Sequence, residues 1–287
     1  MSINFVDNAV QAFEADAKDA YQTGGILRHA VRVQTGVVGT SYRFHKIGKG
    51  IASPRIPQTE VIPMGIGHTN ETAVLEDWYA AEYTDLFDEQ KVSYSERKFL
   101  ASTIGRALAR REDQILLDSF TAATIPSGQQ IAKTFGGANQ LSLAKIRRSK
   151  RIMDDLAVPM SDRFILTSAG GVEQMLGDET NTSRDFSNLE RLRDGEMGNT
   201  PWLGYTWLVM DDRSADEGGY TLSTNDVTTY AWHKFAVGLA VGKEVSVSVD
   251  WIANFTSHLT LGCYIGGATV IDVEGVVEIT YDQSIAV

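Results

Sequence analysis

Three observations in the sequence predict an α+β fold. A proline-free stretch from Val92 to Ala123 carries apolar residues at helical period. The second half is dominated by alternating, β-branched segments such as Lys243–Ala253, KEVSVSVDWIA. The long helical stretch lies in the first half and does not alternate regularly with strands, the order expected of α+β architecture.

Composition bounds the rest. The 287 residues are 43% hydrophobic and 22% charged, enough for one large or two small packed domains. No run of about eighteen apolar residues is present, so no membrane span is expected. The acidic start, MSINFVDNAVQAFEADAKDA, lacks the pattern of a signal peptide. A single cysteine, Cys263, excludes an internal disulfide framework and a cysteine-based zinc site, and cytoplasm-like conditions are expected. The net charge of -11 opposes duplex binding, which draws its affinity from phosphate neutralisation.

Taken in order, residues 1–23 place Val6, Val10, Phe13 and Ala17 at helical spacing, an amphipathic arm that needs a partner surface. Residues 26–48 have strand composition, with Gly36 and Gly39 marking a turn between Val33 and Tyr42. Residues 48–72 hold three of the six prolines, Pro54, Pro57 and Pro63, which forbid a helix. Ile51, Ile56, Val61, Ile62 and Ile66 are nevertheless apolar, and Arg55 sits among them. Such a loop must lie on something, either a partner subunit or, as a lid, a substrate. A strand-like start at Ala73–Leu75 then runs into an acidic stretch with Glu82, Asp85, Asp88 and Glu89, whose spacing matches no calcium loop.

In the long helical stretch, Ser93 or Ser95 can cap the start, and Leu100, Ile104, Leu108 and Ile115 form the expected core stripe. Arg110, Arg111, Glu112 and Asp113 are expected to face solvent or a neighbour. A glycine-rich connection leads to a second amphipathic helix over 141–158, whose basic residues Lys145, Arg147, Arg148, Lys150 and Arg151 form a solvated or subunit-contacting face. Residues 163–178 read as a strand, a Ser-Ala-Gly-Gly turn acting as a helix cap, and a short helix; GxGxxG, the phosphate-loop lysine and GxSxG are all absent. Strands follow around Tyr205–Met210, 226–240, 243–253 and 259–282.

No catalytic constellation stands out. The five histidines form no HxxxH, HxH or HExxH. Cys263 lies in an apolar strand and reads as buried, and His233 as a satisfied or interface histidine. No catalytic, metal or cofactor site is expected.

Several passages together resemble tailed-bacteriophage major capsid proteins of the Hong Kong 97 type. Ala107–Leu116, ALARREDQIL, resembles the family's helix-end pattern ALAR-x-x-D-x-x-[IL]-L. Residues 193–212, RDGEMGNTPWLGYTWLVMDD, resemble the strand after the axial-domain helix. His233–Ala240 and Gly267–Ile279 resemble the returning strands. The resemblance implies an N-terminal arm (1–39), an extended loop (40–72), a peripheral domain with the spine helix (73–130), an axial domain (131–258) and C-terminal strands returning to the peripheral domain (259–287). It also implies an icosahedral shell of hexamers and pentamers around double-stranded DNA, in the virion after assembly in the host cytoplasm. The expected partners are further copies, a scaffolding protein, a portal and a decoration protein. The contact surface would be Phe13, Ile51, Pro54, Arg55, Ile56, Pro57, Val61, Ile62 and Pro63. An encapsulin-like compartment shell and an α+β enzyme with a loop lid are the alternatives.

Overall fold

The structure, a computed structural model, describes residues 24–55, 57–58, 60–61, 63–86, 96–177, 201–210 and 225–285. Within these, a four-stranded sheet carries the long helix and a six-stranded sheet carries the two shorter ones.

The four-stranded sheet has the order β1 (Arg32–Thr35), β10 (Val237–Ile252), β11 (Ser257–Val270), β4 (Glu76–Asp85). β1 runs parallel to β10, and the other pairs are antiparallel. The helix α1 spans Glu96–Ala122 and packs on β11, β10 and β4. Its 27 residues amount to roughly 40 Å at the α-helical rise. Glycine at 262 lets helix and sheet close together, since a Cβ there would collide with Ile104 and Leu108.

The helix face differs from the expected stripe. Ile104 and Leu108 are buried as expected, but Leu100 and Ile115 are only half-buried. The buried line continues through Leu116, Leu117 and Phe120, and Glu112 and Asp113 are buried too. The expectation that Arg110–Asp113 face outward is therefore corrected. A second element, the segment leading into β1, covers that side of the helix and receives the acids; Ile26 and Leu27 donate backbone N–H groups to Asp113. Arg111 stacks on Trp78, its guanidinium carbon 3.6 Å from the ring centroid.

The six-stranded sheet has the order β5 (Gln130–Ile131), β12 (Val276–Asp282), β9 (Asp226–His233), β6 (Arg163–Ser168), β8 (Tyr205–Met210), β7 (Pro201–Trp202). Its centre is β6, with every residue buried, and Trp207, Trp232 and Tyr281 fill the layer around it. The β7–β8 hairpin turns on Leu203 and Gly204, φ 53° and 82°, the positive pair that a type I′ turn requires. Helix α2 (Leu143–Asp155) packs on β12, and α3 (Ala169–Gly177) follows β6 directly. Ser168 Oγ accepts from Gly171 N–H at 3.1 Å, which is the expected cap.

Two expectations change here. Lys145 is not on a solvated face: it is fully buried and donates to the carbonyls of Asn139, Gln140 and Thr280 at 3.1, 2.8 and 3.3 Å. Nor does position 258 separate the sheets. β10, before it, lies beside α1, while β12, after it, lies in the six-stranded sheet. The chain crosses between layers at Lys234–Ala236 and again at Val273–Gly275, two 3-10 turns that pack together. Short apolar runs alone do not say which sheet a strand joins.

Candidate intersubunit interface

A third, two-stranded sheet projects the loop. β2 (Ser41–Ile47) pairs antiparallel with β3 (His68–Val74), from Ser41↔Val74 to Ile47↔His68. Gly48 N–H donates to Gly67 O at 2.9 Å and closes the ladder. Beyond it the prolines and glycines of 50–66 prevent further regular pairing.

The root of this hairpin is fixed. Phe44 and Ala73 are buried against Ala240 and Ile271. Gly238 makes room for Phe44, whose Cζ would lie 2.6 Å from a Cβ at that position. Lys46 pairs with Asp272 and Lys49 with Glu274, both at 2.6 Å, and Lys49 also reaches Leu156 O at 3.3 Å. The bond to Glu274 holds the Lys49 ammonium above its ordinary pKa. Lys49 and Glu274 are both well exposed, so this pair adds little to stability.

The described apolar side chains of the tip point outward. Ile51 is 83% exposed and Val61 87%, with Met64 also exposed. Pro54, Arg55, Pro57 and Pro63 are exposed beside them. The tip thus brings together six of the nine expected contact residues; Phe13, Ile56 and Ile62 lie outside the described residues. The expected core residues Leu100, Ile104, Leu108 and Ile115 lie instead on α1.

Two further surfaces went unforeseen. A groove of about 590 Å³ runs between the hairpin root, the C-terminal end of α1 and β11. Its apolar lining includes Val74, Ile115 and Val270, and its acids are Glu71, Glu76 and Asp118. The expected strand start at Ala73–Leu75 is the end of β3, and β4, which went unforeseen, shares with β11 an outer face, turned away from α1, on which Tyr79 is 77% exposed. Tyr83 lies on the same face and packs on Phe255, ring centroids 5.5 Å apart. The period-2 alternation of Trp78, Ala80 and Thr84 against Tyr79, Ala81 and Tyr83 was the available signal.

Four of the five histidines are engaged separately: His45 with Asn70 at 2.6 Å, His29 against Phe164, His258 against Trp251, and His233 as the acceptor of Phe235 N–H. Burial lowers the pKa of His233. Cys263 is half-buried. Among the described residues, no group of three or more His, Cys, Asp or Glu side chains could hold a metal ion, and no helix is long and apolar enough to cross a membrane.

The fold recurs in phage heads. The capsid of cyanophage P-SCSP1u superposes with a TM-score of 0.68 at 16% identity, covering 93% of this chain and 91% of that one. Mycobacterium phage Che8 gives 0.68 at 14% identity, covering 95% and 96%. The head of Helicobacter pylori bacteriophage KHP40 gives 0.68 at 12% identity, covering 94% and 95%. No curated protein matches the sequence. The profile of a family described as "Phage capsid protein" matches residues 6–283, nearly the whole chain. This chain therefore belongs to the phage capsid protein family, as a structural major capsid protein of the Hong Kong 97-type fold and not an enzyme.

Proposed function

We propose that the chain builds an icosahedral shell of pentamers and hexamers around double-stranded DNA, and that the 48–67 loop is its main contact with a neighbouring copy. The observation that carries this reading is the pairing of an anchored hairpin root with an apolar, exposed tip. Exposed Ile51 and Val61 contribute little to the isolated subunit, but burying each side chain is worth about 1.5–3 kcal/mol.

The groove at the root suits the tip of another copy. The tip carries Arg55, and the groove carries Glu71, Glu76 and Asp118. Residues 1–23, with Asp7, Glu14, Asp16 and Asp19 against Lys18, would bring acid to acid. A hairpin cannot feed its own groove, because Glu71 and Thr72 line the groove from within β3 while the ladder holds the tip several residues away. Tip and groove are different surfaces, so their contact is heterologous and generates rings when the rotation closes. The arm 1–39, the 40–72 loop, the spine-helix domain and the axial domain are the working divisions, with β10 and β12 exchanged across position 258 as described. A scaffolding protein, portal and decoration protein, and assembly in the host cytoplasm, belong to the same proposal. The net charge of -11 would limit adhesion of the wall to packaged DNA.

Deleting residues 49–66 and joining the hairpin tests the reading. Sedimentation and negative-stain microscopy should show a folded subunit and no stable shells. Normal particles from the deletion would overturn the loop's role, and a full-length chain that stays monomeric with its scaffold would overturn the shell.

A further inference from the structure

Residues 24–35 cross the subunit as a strap. Ile26 N–H donates to Asp113 Oδ1 and Oδ2 at 3.1 and 3.0 Å, and Leu27 N–H donates to Oδ1 at 3.0 Å. These N–H groups lie just ahead of the 3-10 turn Arg28–Ala30, where no earlier carbonyl of the turn can accept them. A carboxylate from the middle of α1 caps them instead. Asp113 is 1% exposed, a burial that a carboxylate tolerates only with donors so arranged.

Neighbouring contacts fix the register. A Cβ on Gly25 would lie 2.8 Å from Ala109 O, so the backbone passes against the helix with no space for a side chain. Arg28 forks to Glu112 at 3.0 Å and to Glu244, on β10, at 2.6 Å. Burial raises the Glu112 carboxyl pKa, and the Arg28 charge opposes that rise. Ala30 O accepts from Trp232 Nε1, on β9, at 2.9 Å. Leu27, Ala30 and Val31 are buried. A slip that carried Ile26 into the place of Gly25 would drive its side chain into the backbone of α1. One short segment is therefore tied to α1, to the four-stranded sheet and to the six-stranded sheet.

We infer that Asp113 is a positioning residue: it fixes the position and direction of the backbone at residues 24–27, and through it which neighbouring copy the N-terminal arm meets. The anchoring stands on the contacts above, while its consequence for assembly rests on the arm acting as a contact segment. An ordinary surface ion pair could not set direction in this way, because its partners rotate freely. Backbone N–H donors on a buried carboxylate leave no such freedom.

The experiment compares Asp113→Ala, Asp113→Asn and a chain lacking residues 1–23 with the unaltered protein. Trypsin cleavage after Arg28, thermal melting and particle yield are measured on each. If opening of the strap limits cleavage, Asp113→Ala should be cut after Arg28 at least about tenfold faster. Its melting should move little by comparison, and its particle yield should fall at least about tenfold if the arm is misdirected. Asp113→Asn, which keeps the shape and one acceptor, should be intermediate, and it carries the test if the alanine variant fails to fold. Unchanged cleavage after Arg28 in both variants would overturn the anchoring. Faster cleavage with normal yield, in a protein whose truncation at residue 23 blocks assembly, would overturn the positioning role. Normal assembly of the truncated chain would instead remove the arm contact and leave the anchoring to be judged by cleavage alone.

Discussion

Ile165 and Ile51 are the same side chain in opposite circumstances. Ile165 sits at the centre of the six-stranded sheet and is 1% exposed; Ile51 sits at the tip of the projecting hairpin and is 83% exposed. Around Ile165, β6 is bonded on both sides, and Trp207 and Trp232 lie on its neighbouring strands. Around Ile51, proline and glycine leave the backbone without a regular ladder, and the nearest ladder bond joins Gly48 and Gly67. An apolar residue in the first setting stabilises the subunit. In the second it does nothing for the subunit and remains available to a second copy. The two regions divide folding from association, and that division is open to attack.

The largest effect should come from the packed side. Leu108 is 3% exposed and faces Gly262 beneath α1. Leu108→Asp buries a carboxylate without a partner and should cost about 4 kcal/mol or more, enough to abolish soluble, folded subunit. Unchanged solubility and thermal melting would show that α1 does not carry the core. The next effect should appear only in assembly. Ile51→Asp with Val61→Asp should leave the melting of the subunit within about 0.5 kcal/mol of the unaltered chain. Particle yield under the same conditions should fall at least about tenfold, which corresponds to only about 1.4 kcal/mol of lost association energy. Full particle yield would mean the tip's apolar residues are incidental. A large loss of subunit stability would mean that the tip folds back on its own subunit.

The α+β class, the long helix, the projecting loop and the absence of familiar catalytic motifs could be read from local pattern, because each depends on period, proline or spacing within one segment. What escaped the sequence depends on elements meeting from far apart. Glu112 and Asp113 read as solvent-facing because acids on an amphipathic helix usually are; their burial depends on Ile26–Arg28 arriving from more than 80 residues away. β10 and β12 changed sheets relative to expectation because apolar alternation marks a strand without naming its neighbour. The groove could not be read at all, since β3, α1 and β11 each supply part of it. The exposed tip could be read because prolines at 54, 57 and 63 make their own local statement.

Lysine gives the finest version of the comparison. Lys49, at the start of the loop, is exposed and has its pKa raised by Glu274, so it stays charged. Lys145, on the inner face of α2, is buried, and burial, helped by the charge of Lys133, lowers its pKa to about 8. A lysine depressed in the folded state stabilises the fold fully only above its unfolded pKa, near 10.5, and that contribution is lost as pH falls through about 8. Between those limits the unfolded chain holds the proton and the folded chain does not, so stability rises with pH. Lys145→Met removes the titration while keeping most of the side-chain volume. The stability of the unaltered subunit minus that of Lys145→Met should therefore grow by roughly 1 kcal/mol per pH unit from about pH 8 to pH 10. Denaturant melts of dissociated subunits at several pH values measure it. A difference that stays constant across that range would mean the ammonium remains charged among its three carbonyl partners, and that the packed layer tolerates a charge as readily as the loop does.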